Sequence, residues 1–196
     1  MLSLKHTDDH PTAMAIGQDT HSEDLAVQSV SLAESVGKRL SVDSSYGGMM
    51  TFFDRAFRIE TDEDSKLLSG ENENKTCCLL LYNIGCCHHA LGIQGGCQDE
   101  LSKAFKLYRM ALEFVTFNES TEDDDTLLML SLAVMNNVAH IQSFFFHYDE
   151  VRHCVSWLRQ AAQHFQPSSL SEEDYMFFFL RFFVLPTNEL HSSPAA

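Results

Sequence analysis

The chain has 196 residues, 44% of them hydrophobic, and a formal charge of -15 from 28 acidic against 13 basic residues. That length and apolar content suffice for one domain with a buried core. The acidity repels nucleic-acid phosphates and anionic membrane surfaces, so neither nucleic acid nor membrane is expected as a partner, and a protein or peptide is.

The opening residues MLSLKHTDDHPTAM contain no basic start followed by an apolar run, so the chain is expected to be cytoplasmic or nuclear and not secreted. In that setting the six cysteines read as reduced thiols rather than as a disulfide framework. Residues 1–45 are rich in Ser, Asp, His and Thr with scattered apolar residues, a composition that cannot offset its own ordering entropy. A disordered polar tail is expected there. Within it, Leu25, Val30, Leu32, Val36 and Leu40 have loosely helical spacing that would suit a transient helix or a partner-binding segment.

A helical domain is expected over residues 46–186. Its first flank, 49–59, satisfies both a helix face (Met49, Phe53, Ala56, Phe57) and strand alternation (Phe53, Phe57, Ile59 against Thr51 and Arg55), and periodicity does not decide between them. A mobile acidic loop follows, from Glu60 to Asn74. Asn74 is a candidate cap for a helix over about 75–92, with Leu79, Leu80, Tyr82, Ile84, Cys87 and Leu91 as its apolar stripe and Gly92, Gly95 and Gly96 as its stop. Asp99 is the corresponding cap for a helix over about 99–117, whose Leu101, Phe105, Leu107, Tyr108, Ala111, Leu112 and Val115 face a neighbour. The acidic run from Asn118 to Asp125 suits the positive end of a third helix, about 126–146. That helix is apolar around most of its circumference, as an element sandwiched between others should be.

Asp149 is placed to cap a fourth helix, about 149–166, ended by Gln166-Pro167. The second flank, 175–185, contains Arg181 and is about half the ~20 residues that a membrane-spanning helix needs. Its preceding Ser-rich, acidic stretch resembles a capping sequence, while its five phenylalanines within seven residues favour a strand. Four antiparallel helices bring the chain back to where it started, so flanks 49–59 and 175–185 are expected to meet as a short two-stranded ladder, ahead of two further helices. Residues 187–196 are read as a C-terminal tail.

The two helix pairs echo each other. Aligning Ile84-Gly85 with Val138-Ala139, and Ala104, Tyr108 and Ala111 with Val151, Val155 and Leu158, gives a pattern that resembles the tetratricopeptide repeat. Small residues at Gly85, Ala104, Ala111 and Ala139 allow the close backbone approach such pairs need. The run FFDRAF, LLLYNIGCCHHALG, VMNNVAHI and the terminal PAA is also similar to a group of algal repeat proteins. The resemblance implies a mainly α fold of two stacked antiparallel helix pairs and a groove, lined by the first helix of each pair, that takes a peptide or helix. Outward positions Asn83, Cys86, Asn136, Asn137 and Gln142 would line it, because Asn can donate to and accept from a ligand backbone.

Other constellations carry less. Cys77, Cys78, Cys86, Cys87, His88, His89 and Cys97 are dense in metal-ligating types. However, only Cys86 with His89 has the three-residue step that puts helical ligands side by side, and two ligands do not make a structural zinc site. No nucleophile elbow, phosphate loop or paired-acid motif accompanies His140, His147 and His153. No metal, cofactor or enzymatic activity is therefore expected. The expected function is a protein–protein interaction module, adaptor or scaffold. The alternatives are a thiol- or metal-dependent regulator or enzyme using the Cys/His cluster, and a structural subunit self-associating through Phe178, Phe182 and Phe183 of the Phe-rich C-terminal segment.

Overall fold

A computed structural model describes residues 26–32, 50–60, 71–117, 124–163 and 171–179. Among them, five helices and one two-stranded sheet account for the fold: β1 (Ala26–Ser31), β2 (Arg55–Glu60), α1 (Glu71–Gly95), α2 (Gln98–Phe117), α3 (Asp125–Phe144), α4 (Tyr148–Gln163) and α5 (Glu172–Phe179). The fold is mainly helical with a short ladder, as expected. Most of the loop before α1, residues 180–185 of the second flank and everything after them, the tail 187–196 included, lie outside the described residues.

The first hairpin is α1 and α2, and small residues set how closely the two pack. Ala104 and Ala111 are fully buried. A Cβ placed on Gly85 would lie 2.7 Å from the ring of Tyr108, so only glycine admits that ring against the backbone of α1. On α3 the small residue Ala139 is likewise fully buried. That helix is buried on all sides, from Leu127 and Leu130 through Asn137 and His140 to Ile141. Asp124 caps it, accepting from the backbone N–H of Thr126 at 2.9 Å and of Leu127 at 3.2 Å. Asp124 also pairs with Lys75 at 2.9 Å and so ties α3 to the start of α1. By length and composition α1 and α3 could each cross a membrane, but α3 is the enclosed core helix of this fold.

The two hairpin turns have the same geometry. Gly96 and Phe146 take φ of 60° and 59°, and Cys97 N–H reaches Gly92 C=O at 3.0 Å while His147 N–H reaches Gln142 C=O, also at 3.0 Å. Each of these pairs is separated by the same 50 residues, as are Asp99-Glu100-Leu101 and Asp149-Glu150-Val151. This replaces the alignment of Gly85 with Ala139 and of Ala104 with Val151, which would make the first loop longer: the turn of the first hairpin is no longer than that of the second. Asp99 and Asp149 are not caps but lie in the first turn of their helices, where a carboxylate still meets the positive end of the helix dipole. Asn74 likewise lies inside α1, since the polar Glu71, Asn72 and Glu73 extend that helix by a further turn.

The ladder forms with a different partner than expected. β2 pairs antiparallel with β1, matching Ser29 to Phe57 and Ser31 to Arg55. Ala26–Ser31 thus lies within the segment expected to be a disordered tail, and the loose helical spacing around Val30 yields to a strand. Residues 172–179, by contrast, are helical. Ser171 Oγ accepts from Asp174 N–H at 3.1 Å and donates to Asp174 Oδ2 at 2.6 Å, and this closed cap outweighs the strand preference of the phenylalanines. Phe177 and Phe178 then pack on Phe53, with ring centres 4.9 and 5.0 Å away.

Candidate functional site

The site is the groove between α1 and α3, and the chain's own residues 51–57 occupy it. Two asparagines hold this strap by its backbone. On α1, Asn83 accepts from Phe57 N–H at 2.8 Å and donates to Phe57 C=O at 2.7 Å. On α3, Asn137 accepts from Phe53 N–H at 2.9 Å and donates to Phe53 C=O at 3.2 Å. Asn136 adds a donor to Thr51 C=O at 2.9 Å, and Tyr82 donates to Arg55 C=O at 3.0 Å, with Cys86 Sγ 3.9 Å from the same oxygen. The helices therefore satisfy alternate residues 51, 53, 55 and 57, which is one backbone edge of the strap. The other edge faces the ladder, where Leu32 N–H donates to Asp54 C=O at 2.9 Å. Side chains from two helices do here what a third strand would do in a sheet.

Side chains lock the strap in place. Phe53 and Phe57 are buried, with Phe57 5.1 Å from the ring of Tyr82. Phe52 lies 4.2 Å from the ring of His89. Arg55 reaches out to Asp174 at 3.0 Å, to Glu173 at 2.5 Å and to the Ser29 carbonyl at 3.2 Å, and Ser29 Oγ donates to Asp174 Oδ2. One guanidinium therefore joins β1, β2 and α5.

Beneath the strap lies a closed polar network. Asn137 Nδ2 also lies 3.3 Å from Tyr82 Oη and 3.2 Å from Tyr108 Oη, Tyr108 donates to Cys86 Sγ at 3.5 Å, and His89 Nδ1 lies 3.2 Å from Tyr108 Oη. His89 Nε2 in turn lies 2.9 Å from His140 Nδ1. With the Tyr108 proton directed to Cys86, His89 donates from Nδ1 and its Nε2 accepts the Nδ1 proton of His140, so the His89 ring is neutral. Burial holds His89 well below the ordinary imidazole value, helped by the neighbouring His140. Burial also raises Tyr82 and Tyr108 well above the usual phenol value.

Of the residues expected to line an open groove, Asn83, Cys86, Asn136 and Asn137 do converge on an extended backbone. The correction is that this backbone belongs to the same chain, so these side chains are not offered to solvent: Asn136, Asn137 and Cys86 are fully buried. Gln142 does not join them. It sits at the end of α3, where its side chain meets His147 at 2.7 Å. Tyr82, Tyr108, His89 and His140 belong to the site without having been assigned to it, and the repeated aromatics FFDRAF upstream of the helices were the signal for the occupant. His140 is buried and hydrogen-bonded to His89, and His147 and His153 are exposed.

The Cys/His cluster disperses. Among the described residues no group of three or more His, Cys, Asp and Glu is placed to hold a metal. Burial pushes the Cys86 thiol up to about 12 and the Cys78 and Cys154 thiols to about 11, the opposite of an activated nucleophile. The exposed phenylalanine patch is also corrected: Phe178 is 3% exposed, because it seals the far side of Phe53, while Phe182 and Phe183 lie outside the described residues.

No protein-family model matches the chain, and no curated protein or solved structure gives a significant match.

Proposed function

We propose that the chain is a protein-interaction adaptor whose α1/α3 groove binds extended peptide backbone, with residues 51–57 as its built-in occupant. The observation carrying this reading is the pair of asparagine clamps: Asn83 and Asn137 each hold both the N–H and the C=O of one residue, Phe57 and Phe53. Such contacts ask nothing of the ligand's side chains at those atoms, which is how a groove can take more than one sequence. The side-chain demands come from the walls: an aromatic at each of two positions four apart, and a cation between them for Asp174 and Glu173. The outside partner in this reading is an extended segment of a protein with that pattern, displacing the strap.

A labelled peptide of residues 50–60 tests it by fluorescence anisotropy. In the full chain carrying Phe53→Ser and Phe57→Ser the strap is loosened, and the peptide should bind saturably. Adding Asn137→Ala should abolish that binding, and the unaltered chain should bind far more weakly. A loosened chain that keeps its helical circular dichroism and still ignores the peptide would mean that the groove is only a structural seam.

A further inference from the structure

The packing described above leaves the outer face of α1 uncovered. Cys77, Leu80, Ile84, Cys87 and Leu91 follow one another at steps of three, four, three and four residues, which aligns them in one stripe along the helix. Leu80 is 51% exposed, Ile84 48% and Leu91 56%. Cys87 is exposed as well, and Cys77 is half-buried. The stripe lies on the side of α1 away from Tyr82 and Cys86, which face the strap, and so is independent of the groove.

Two properties identify its occupant. First, from Thr76 to Cys97 the sequence contains no Asp, Glu, Lys or Arg. In a chain of charge -15, this length of helix is where a second copy can approach without like-charge repulsion. Second, the stripe complements itself when reversed. With two copies of α1 antiparallel and Ile84 on a two-fold axis, Ile84 meets Ile84, Leu91 comes level with Cys77, and Leu80 comes within one residue rise, about 1.5 Å, of Cys87. Every outer layer then sets a long side chain against a short one, as interdigitating packing requires. A parallel pairing would stack Leu on Leu and Cys on Cys, leaving alternately crowded and empty layers. On α2, Met110 and Phe114 are 45% and 39% exposed. The contact of Gly85 with Tyr108 puts them near the level of Ile84 and Leu80 along the hairpin.

We propose that the outer face of α1 is the interface of a homodimer, antiparallel about a two-fold axis at Ile84. The isologous geometry closes on itself, so association stops at two.

Light scattering on the full chain, over a range of concentrations, should give twice the chain mass of 22.2 kDa. Ile84→Lys should reduce it to the single-chain mass with unchanged circular dichroism. Orientation is read by cross-linking under mild oxidation with copper phenanthroline. Leu80→Cys should yield a covalent dimer that is lost when Cys87→Ser is added, and the unaltered chain should yield none through Cys87. A monomer at every concentration would overturn the proposal. So would a folded Ile84→Lys chain that remains dimeric, or a covalent dimer of the unaltered chain through Cys87, which reports a parallel pairing. A chain monomeric in buffer that sediments with phosphatidylcholine vesicles would assign the face to lipid instead.

Discussion

Among the described residues the side chain of Asn137 is the most heavily used polar group in the interior. It is fully buried and contacts both backbone groups of Phe53 and the hydroxyls of Tyr82 and Tyr108. Asn137→Ala should therefore cost about 2 to 5 kcal/mol, because it strands several buried groups at about 1 to 3 kcal/mol each. Asn83→Ala, at a half-buried position that holds Phe57 alone, should cost less. Urea denaturation of the two variants checks the order. Gly85→Ala should cost about 1 to 3 kcal/mol by overpacking, since the new methyl would sit 2.7 Å from an aromatic carbon of Tyr108, and a lowered melting temperature would report it. His89 supplies a pH dependence. Its pKa is depressed in the folded state, so the unfolded chain binds the extra proton first. The stabilisation is complete above the ordinary imidazole value of 6.5 and is lost as pH falls below it. His89→Gln should flatten the acid limb of a plot of stability against pH. At this scale the sequence carried the clamp chemistry but not its object: paired donors and acceptors on Asn83 and Asn137 implied a backbone ligand, while nothing local to them distinguishes an outside peptide from Phe53 and Phe57, 84 and 26 residues away.

At the scale of elements, what could be read depended on how local the deciding interaction is. The four long helices are where their apolar spacing placed them, with bounds that differ from the expected ones by a turn or less, but on α1 the expected apolar stripe is not the buried face: Leu79 and Tyr82 are in the core, while Leu80, Ile84, Cys87 and Leu91 are exposed. The strand partner of β2 did not follow, because the pairing of Ser29 with Phe57 spans a segment whose composition is that of a solvated tail, and the groove that holds β2 exists only once α3 has packed. The equal 50-residue offset of the turns was present in the repeated Asp-Glu-Leu and Asp-Glu-Val, and was obscured by aligning small residues in place of turns. Arg55 is the tie among the short elements. Arg55→Met leaves Asp174, whose side chain is 4% exposed, without its cation; breaking a buried ion pair from one side costs about 3 to 5 kcal/mol. Hydrogen exchange should show β1 and α5 losing protection together in that variant, with α2 and α4 unaffected.

For the molecule as a whole, the six cysteines divide by environment. Cys87 and Cys97 are exposed, Cys77 is half-buried, and Cys78, Cys86 and Cys154 are buried with thiols raised to about 11 or 12. Titration with a chromogenic disulfide at neutral pH should label Cys97 quickly, Cys87 quickly in the monomeric Ile84→Lys chain and slowly in the dimer, and Cys78, Cys86 and Cys154 only on unfolding. Fast labelling of Cys86 in the native chain would mean that the strap opens readily. The strap also sets an order of events during synthesis. Phe53 leaves the ribosome well before Asn137, 84 residues beyond it, has been added, so while α1 and α2 are being made its side chain has no receiving surface, and Phe52 and Phe57 have only the one that His89 and Tyr82 of α1 offer. Nascent chains stalled between α2 and α3 should consequently be strong clients of holdase chaperones, and chains extended past α4 should be released from them.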